Sequence, residues 1–181
     1  MRLLALFALL QVRDDVVAIE VIGLGSIMLV IIILIHGAGL DNIVAFYKRR
    51  AEVLRKKGRH PRVAALVFAG SILLMLFLHM AEISLWGVAL RGLGLVANYR
   101  DAVYFSANTY TTLGMGAMAL PHSWRELSPI IAMAGLFTFA WTTSEMFNIV
   151  AYQHDLAEEL RDKRNRGAGV RKRVHDPNLT G

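Results

Sequence analysis

The stretch "NTYTTLGMGAMALP", Asn108–Pro121, decides how this chain is read. It lies between two long apolar segments. It holds a Thr-Thr pair, two glycines two residues apart and a closing proline. The residues leading into it, "DAVYFSANTYTT", predict a helix of about three turns, with Asp101 near its start against the positive dipole end. Such a helix is too short to cross a bilayer, which takes about 20 apolar residues. Ser123 and Glu126 then make a capping-box pattern, S-x-x-E, ahead of the next apolar run. A short helix, a glycine-broken extended segment and a new helix between two spans make a re-entrant loop. Non-helical backbone at membrane depth is tolerated only where protein covers it or where it lines a watery path. Glycines in alternation let an extended backbone aim successive carbonyls to one side. Carbonyls ringed around an axis can replace a cation's water shell. Thr112 adds a hydroxyl oxygen, and the short helix turns its negative C-terminal end toward the axis. All of this favours a cation. One loop cannot close a ring, so several copies are needed.

Composition agrees with a membrane setting. The chain has 181 residues, 55% of them apolar, and no cysteine. That excludes a disulfide framework and a thiolate metal site. Its net charge is +6, but the placement of charge says more. Of 20 Lys and Arg, eight fall between His36 and Arg62 and seven after Tyr152, while the apolar runs are nearly uncharged. This is a membrane pattern and not a nucleic-acid-binding surface. Three spans are expected, at residues 16–35, 63–90 and 127–151. Met1 to Leu10 is apolar but too short to span, and is expected as a short interfacial helix. The two basic segments belong on the cytoplasmic side, which puts the N-terminus outside and the C-terminus inside. The expected class is an all-α membrane protein: three transmembrane helices, a re-entrant helix and its loop, assembled from several copies. The size suggests a prokaryotic inner (plasma) membrane.

Four regions follow from this reading. Residues 1–36 hold the interfacial segment and first span. Residues 37–62 form a basic amphipathic cytoplasmic helix. Residues 63–152 hold the second and third spans with the loop between them. Residues 153–181 form a basic cytoplasmic tail. In the second region Leu40, Ile43, Val44, Tyr47, Ala51 and Leu54 share one helical face. Asp41 is placed to cap its start, and Gly58 and Pro61 to end it. Lys48, Arg49, Arg50, Arg55, Lys56 and Lys57 supply the other side. This helix is expected on the inner membrane surface, held by anionic lipid headgroups. In the tail, Leu156 and Leu160 are i, i+4 neighbours on a polar helix, and the residues after Gly167 read as disordered.

The residues also carry a resemblance. "TYTTLGMG" resembles the T-x-x-T-x-G-Y-G filter signature of potassium channels. "AVYFSANTYTTLG" is similar to their pore helix, and "IIAMAGLFTFAW" to their pore-lining inner helix. The likeness covers about residues 63–152, the whole two-helix pore module; the first span and the basic helix lie outside it. It implies four subunits around one pore. It also implies ion-coordinating oxygens at Thr112, Leu113, Gly114, Met115 and Gly116, which would hold K⁺. Tyr104, Phe105, Asn108 and Thr111 would support that filter. Gly135 would be an inner-helix hinge, with Thr143 along the pore; Phe139 and Phe147, eight apart on roughly one face, read as hydrophobic constrictions of the pore or as a packing stripe. Two positions depart from the family. Met115 stands where tyrosine is usual, and Ala117 where aspartate is usual. The usual tyrosine ties the filter to the pore helix, and a flexible thioether is at best a weak acceptor. Selectivity between K⁺ and Na⁺ is therefore expected to be relaxed.

Other polar residues are weighed the same way. His79 and Glu82 are i, i+3 near the outer end of the second span. They read as an interfacial pair at headgroup level with Trp86, or as a pH-sensitive brace behind the filter. A metal site there lacks ligands, since only two are visible. Glu145 lies deep in the third span, where a carboxylate needs a partner or water. It reads as a gating acid or a structural one. Glu20 in the first span reads as a helix-packing partner or a bond to a basic residue, and His122 in the loop near the mouth reads as solvated. No nucleophile–base constellation, P-loop, dinucleotide fingerprint or HExxH is present, so an enzyme is not expected. No organic cofactor is implied; the expected ligands are permeant K⁺ or Na⁺ and anionic lipid. The leading reading is a homotetrameric cation channel. The alternative is a non-conducting membrane scaffold or accessory subunit that keeps the pore fold. A transporter component lacks the inverted repeat it would need.

Overall fold

A computed structural model describes the backbone of residues 2–57, 61–115 and 118–175, and the side chains of 18–57, 62–115 and 118–166. The described residues are helical apart from the connections. The elements are α1 (Arg2–Lys57), α2 (Pro61–Gly92), α3 (Tyr99–Tyr110), a one-turn 3-10 helix (His122–Trp124) and α4 (Leu127–His175). Three of them are long and apolar enough to cross a membrane, within Ala18–Lys57, Arg62–Gly92 and His122–Arg166. Inside the apolar run of α2, Ser71 and Ser84 return their hydroxyls to the carbonyls of Val67 and Met80, at 3.0 and 2.8 Å. Bonding back four residues keeps both polar atoms satisfied without a partner helix.

Local chemistry explains the short elements. Asn98 caps α3: its Oδ1 accepts from the Asp101 N–H at 2.9 Å, and its Nδ2 donates to Asp101 Oδ2 at 2.6 Å. The expected placement of Asp101 in the first turn is observed, and Asn98 completes the cap. α2 closes with two nested bonds, Gly94 N–H to Arg91 C=O at 3.1 Å and Leu95 N–H to Leu90 C=O at 3.0 Å. This is a Schellman end, whose pivotal residue takes a left-handed conformation that glycine adopts without a Cβ penalty. Gly94 has φ +72°.

Two compact units partition the chain: Met1–Gly39 with Phe77–Trp141, and Leu40–Leu76 with Thr142–Gly181. In the first, Ile32 of α1, Ile83, Trp86 and Leu90 of α2, Ala102, Phe105 and Tyr110 of α3, and Leu127, Ile131 and Ala134 of α4 share one core. α3 thus docks against three long helices. Close approach is built in at Gly135, where any Cβ would overlap the Tyr110 carbonyl. In the second unit Leu40, Tyr47, Ala51, Leu54, Ala64, Met75, Ile149, Leu156 and Leu160 are buried. Tyr47 donates to Gln153 Oε1 at 2.9 Å and meets Tyr152 edge-on at 5.9 Å. Arg55 Nε lies 3.0 Å from Glu159, and Lys163 Nζ 2.9 Å from the same carboxylate.

Several expectations change here. α1 is unbroken from Arg2 to Lys57, so the interfacial segment, first span and basic helix are one element. Asp41 sits in its interior and caps nothing. The basic helix does have the apolar face that its spacing predicts, and Tyr47 on that face packs on Phe68, Tyr152 and Gln153. Arg55, assigned to headgroups, pairs with Glu159. α4 continues as helix to His175, past the predicted change to disorder at Gly167. Glu126 accepts from the adjacent Arg125 Nε at 2.9 Å, and residues 122–124 turn into a 3-10 helix, in place of the expected capping box. Gly58, Gly116, Ala117 and residues 176–181 lie outside the described residues.

Candidate functional site

The extended segment grows directly out of the end of α3. Thr112 N–H donates to the Thr109 carbonyl at 2.9 Å and Leu113 N–H to the Asn108 carbonyl at 2.9 Å. This is the same Schellman pair that ends α2. Its pivotal residue is Thr112, with φ +58°. A β-branched residue in the left-handed region is a genuine outlier. Gly114 N–H also reaches the Asn108 carbonyl, at 3.2 Å, and Gly114 has φ +64°. Asn108 holds this end from the other side, donating Nδ2 to the Tyr104 carbonyl at 2.9 Å. The Thr111 hydroxyl returns to the Ala107 carbonyl at 2.7 Å. Thr112, Leu113, Gly114 and Met115 are all exposed in the single chain, Met115 at 65%. A cleft of about 480 Å³ joins Thr112, Gly114 and Met115 to Phe105, Ser128 and Ala132. Of the expected aromatic pair, Phe105 is buried in the core, whereas Tyr104 is 58% exposed on the cleft wall.

Behind α3 lies a buried polar network. The Tyr110 hydroxyl, on the last residue of α3, donates to Glu82 Oε2 at 2.5 Å. It lies 2.5 Å from the Thr138 hydroxyl and 3.1 Å from His79 Nδ1. His36 Nδ1 donates to the other Glu82 oxygen at 2.8 Å. Thr138 Oγ1 is 3.0 Å from the Ala134 carbonyl. Both carboxylate oxygens of Glu82 therefore have a donor, which a buried acid requires. Aromatic rings wall the network off: Phe139 lies 4.5 Å from the His79 ring and Trp141 5.7 Å from the His36 ring. The imidazoles and the carboxylate come from α1 and α2, and α3 and α4 supply the hydroxyls.

The expected residues thus separate into groups. His79 and Glu82 are both buried within the protein. His36, Tyr110 and Thr138 are partners that sequence reasoning passed over. Tyr110 was detectable: Ala102, Phe105, Ser106 and Tyr110 are the buried residues of α3 and recur at helical spacing. His36 had no local signal, because its contact with Glu82 spans 46 residues. Gly135 sits in an unbroken α4, tight against Tyr110. Phe139 packs on His79 and Tyr110, with its ring 5.5 Å from the latter. In the second unit, Glu145 lies 3.4 Å from Asn148 Nδ2, Phe147 is 70% exposed and Thr143 is exposed. Glu20 and His122 are exposed.

Residues 64–152 match a family described as ion channel. No curated protein and no solved structure matches the chain.

Proposed function

Since the chain belongs to the ion channel family through residues 64–152, and is no enzyme but an integral membrane protein with three candidate spans, we propose that it is a homotetrameric channel of potassium-channel type. It conducts monovalent cations, K⁺ first, by electrodiffusion. The observation that carries this reading is the segment after α3. Thr112 and Gly114 take left-handed conformations in a non-helical segment that leaves a helix C-terminus and stays exposed in the single chain. A strained, non-helical backbone between two spans is tolerated where it lines an ion path. The negative end of α3 and the oxygens of Thr112, Leu113, Gly114, Met115 and Gly116 favour a partly dehydrated cation. Four copies close the ring, and the cleft beside Met115 receives the neighbouring subunit. Thr143 and Phe147 line the inner pore, and Gly135 and Glu145 contribute to its gate, while Phe139 packs behind α3. The basic stretches of α1 and α4 face the cytoplasm, where Lys48, Arg49, Arg50, Lys56 and Lys57 meet anionic headgroups.

Met115 is the exposed thioether at the position where the resemblance has an anchoring tyrosine. It supports relaxed selectivity, with Na⁺ passing beside K⁺. It also gives a non-conducting scaffold its only support. Liposome flux separates the two. Purified protein in vesicles is expected to release K⁺ and, more slowly, Na⁺, with no Cl⁻ flux. Absence of any cation flux across a range of voltage and pH leaves the scaffold reading. In the conducting case, Met115→Tyr with Ala117→Asp is expected to raise the K⁺/Na⁺ permeability ratio.

A further inference from the structure

His36 of α1 and His79 and Glu82 of α2 offer three donor atoms that all lie within 4.8 Å of one another. Their exposures are 0%, 4% and 1%. A hydrogen-bonded brace alone accounts for His36 on one oxygen of Glu82 and Tyr110 on the other. A second imidazole converges on the same carboxylate, with His79 Nδ1 3.7 Å from Oε2 and 3.1 Å from the Tyr110 hydroxyl. Two imidazoles and a carboxylate are a costly set to bring into the apolar part of a span. They are also a donor set that borderline divalent metals take, with nitrogen and oxygen bonds of about 2.0–2.2 Å. A tetrahedral ion with such bonds separates its ligand atoms by about 3.3 Å. His36 Nδ1 lies 2.8 Å from Glu82 Oε1 and His79 Nδ1 3.7 Å from Oε2, so the carboxylate presents one oxygen to each imidazole. An ion entering here draws in three donor atoms that now lie within 4.8 Å of one another.

We propose that His36, His79 and Glu82 form a binding site for a divalent transition metal of the zinc class. Tyr110 stands beside it as the orienting partner, bonded to Glu82 Oε2 and in turn set by Thr138. Hydrogen bonds of this kind hold a ligating carboxylate in position. The aromatic wall of Phe139 and Trp141 keeps the surroundings dry. A bound ion ties α1 to α2 and, through Tyr110, fixes the last residue of α3. The site does not depend on whether the pore conducts.

The test uses the full chain in detergent, stripped of metal by chelator and dialysis, with Zn²⁺ alone as titrant and a chromophoric chelator as competitor. One zinc per chain is expected at micromolar concentration, together with a rise in the thermal unfolding midpoint. Cobalt in its place should give the visible ligand-field bands of a tetrahedral site. The chain has six histidines. A variant with His60, His122, His154 and His175 changed to alanine should bind as the wild type does. X-ray absorption on that variant should count two imidazoles per metal. His36→Ala and Glu82→Gln should each weaken binding more than about 100-fold, beyond what loss of an outer hydrogen bond causes. A folded wild type that takes up no zinc overturns the site. So does binding that disappears in the four-histidine variant, or that survives Glu82→Gln. Where the single variants do not fold, the imidazole count on the four-histidine variant decides.

Discussion

Two helices of this chain end with the same pair of backbone hydrogen bonds, and they differ in the residue at the pivot. α2 turns at Gly94 and α3 turns at Thr112, with φ +72° and +58°. In the first the sequence supplies the residue that the turn demands. In the second it supplies a β-branched one, at a cost of about 1–2 kcal/mol. Local rules tend to be broken where something other than stability is served. Here the threonine places a hydroxyl at the start of the proposed ion path. What lets the strained end persist is its surroundings. α2 ends among exposed residues of a loop, whereas α3 ends on Tyr110, which is fully buried and bonded to Glu82 and Thr138.

The largest effect should come from removing the clamp on α3. Gly135→Val drives a side chain into the Tyr110 carbonyl, and overpacking of this kind costs about 3 kcal/mol. Reversible unfolding in mixed micelles is expected to show that loss, with the tetramer proposed above failing to assemble on a sizing column. An unchanged midpoint would mean that α3 does not depend on α4 at this point. Tyr110→Phe is milder. It takes the donor from a buried carboxylate oxygen and should cost about 2 kcal/mol. In a Glu82→Gln background the cost should shrink, so a double-mutant cycle reads the coupling directly. Gly94→Ala tests the unclamped end and should cost about 1 kcal/mol by forcing a Cβ into the left-handed region. Thr112→Gly has the opposite sign. It should stabilise the chain by up to about 1 kcal/mol while reducing K⁺ flux relative to Na⁺. If both pivots respond alike, the threonine carries no strain and the contrast between the two ends fails.

Much of the architecture was legible because it rests on local pattern. Apolar runs of membrane length, two concentrations of basic charge and a glycine-rich interruption are all readable along the chain. The apolar face of residues 40–54 was readable for the same reason. Its partner was not: nothing in the spacing of Tyr47 distinguishes a lipid surface from Tyr152 and Gln153, more than 100 residues on. The continuity of α1 was missed because charge, not backbone, was taken as the boundary. A helix passes from apolar to basic composition without any break in its hydrogen bonds. The extended segment was recognised through its threonines and glycines, but its brace was seen only as two residues in one turn of α2. His36 joins them through tertiary packing alone.

The position of His36 bears on how this protein can be taken apart. It lies in α1, outside residues 64–152, which match the ion channel family. Yet it holds one oxygen of Glu82, which lies inside them. Residues 64–152 transplanted alone into a chimaera would carry a buried acid that keeps Tyr110 on one oxygen and loses His36 from the other. The smallest portable unit of this protein therefore includes its first helix, and a graft that omits it should substitute Gln for Glu82.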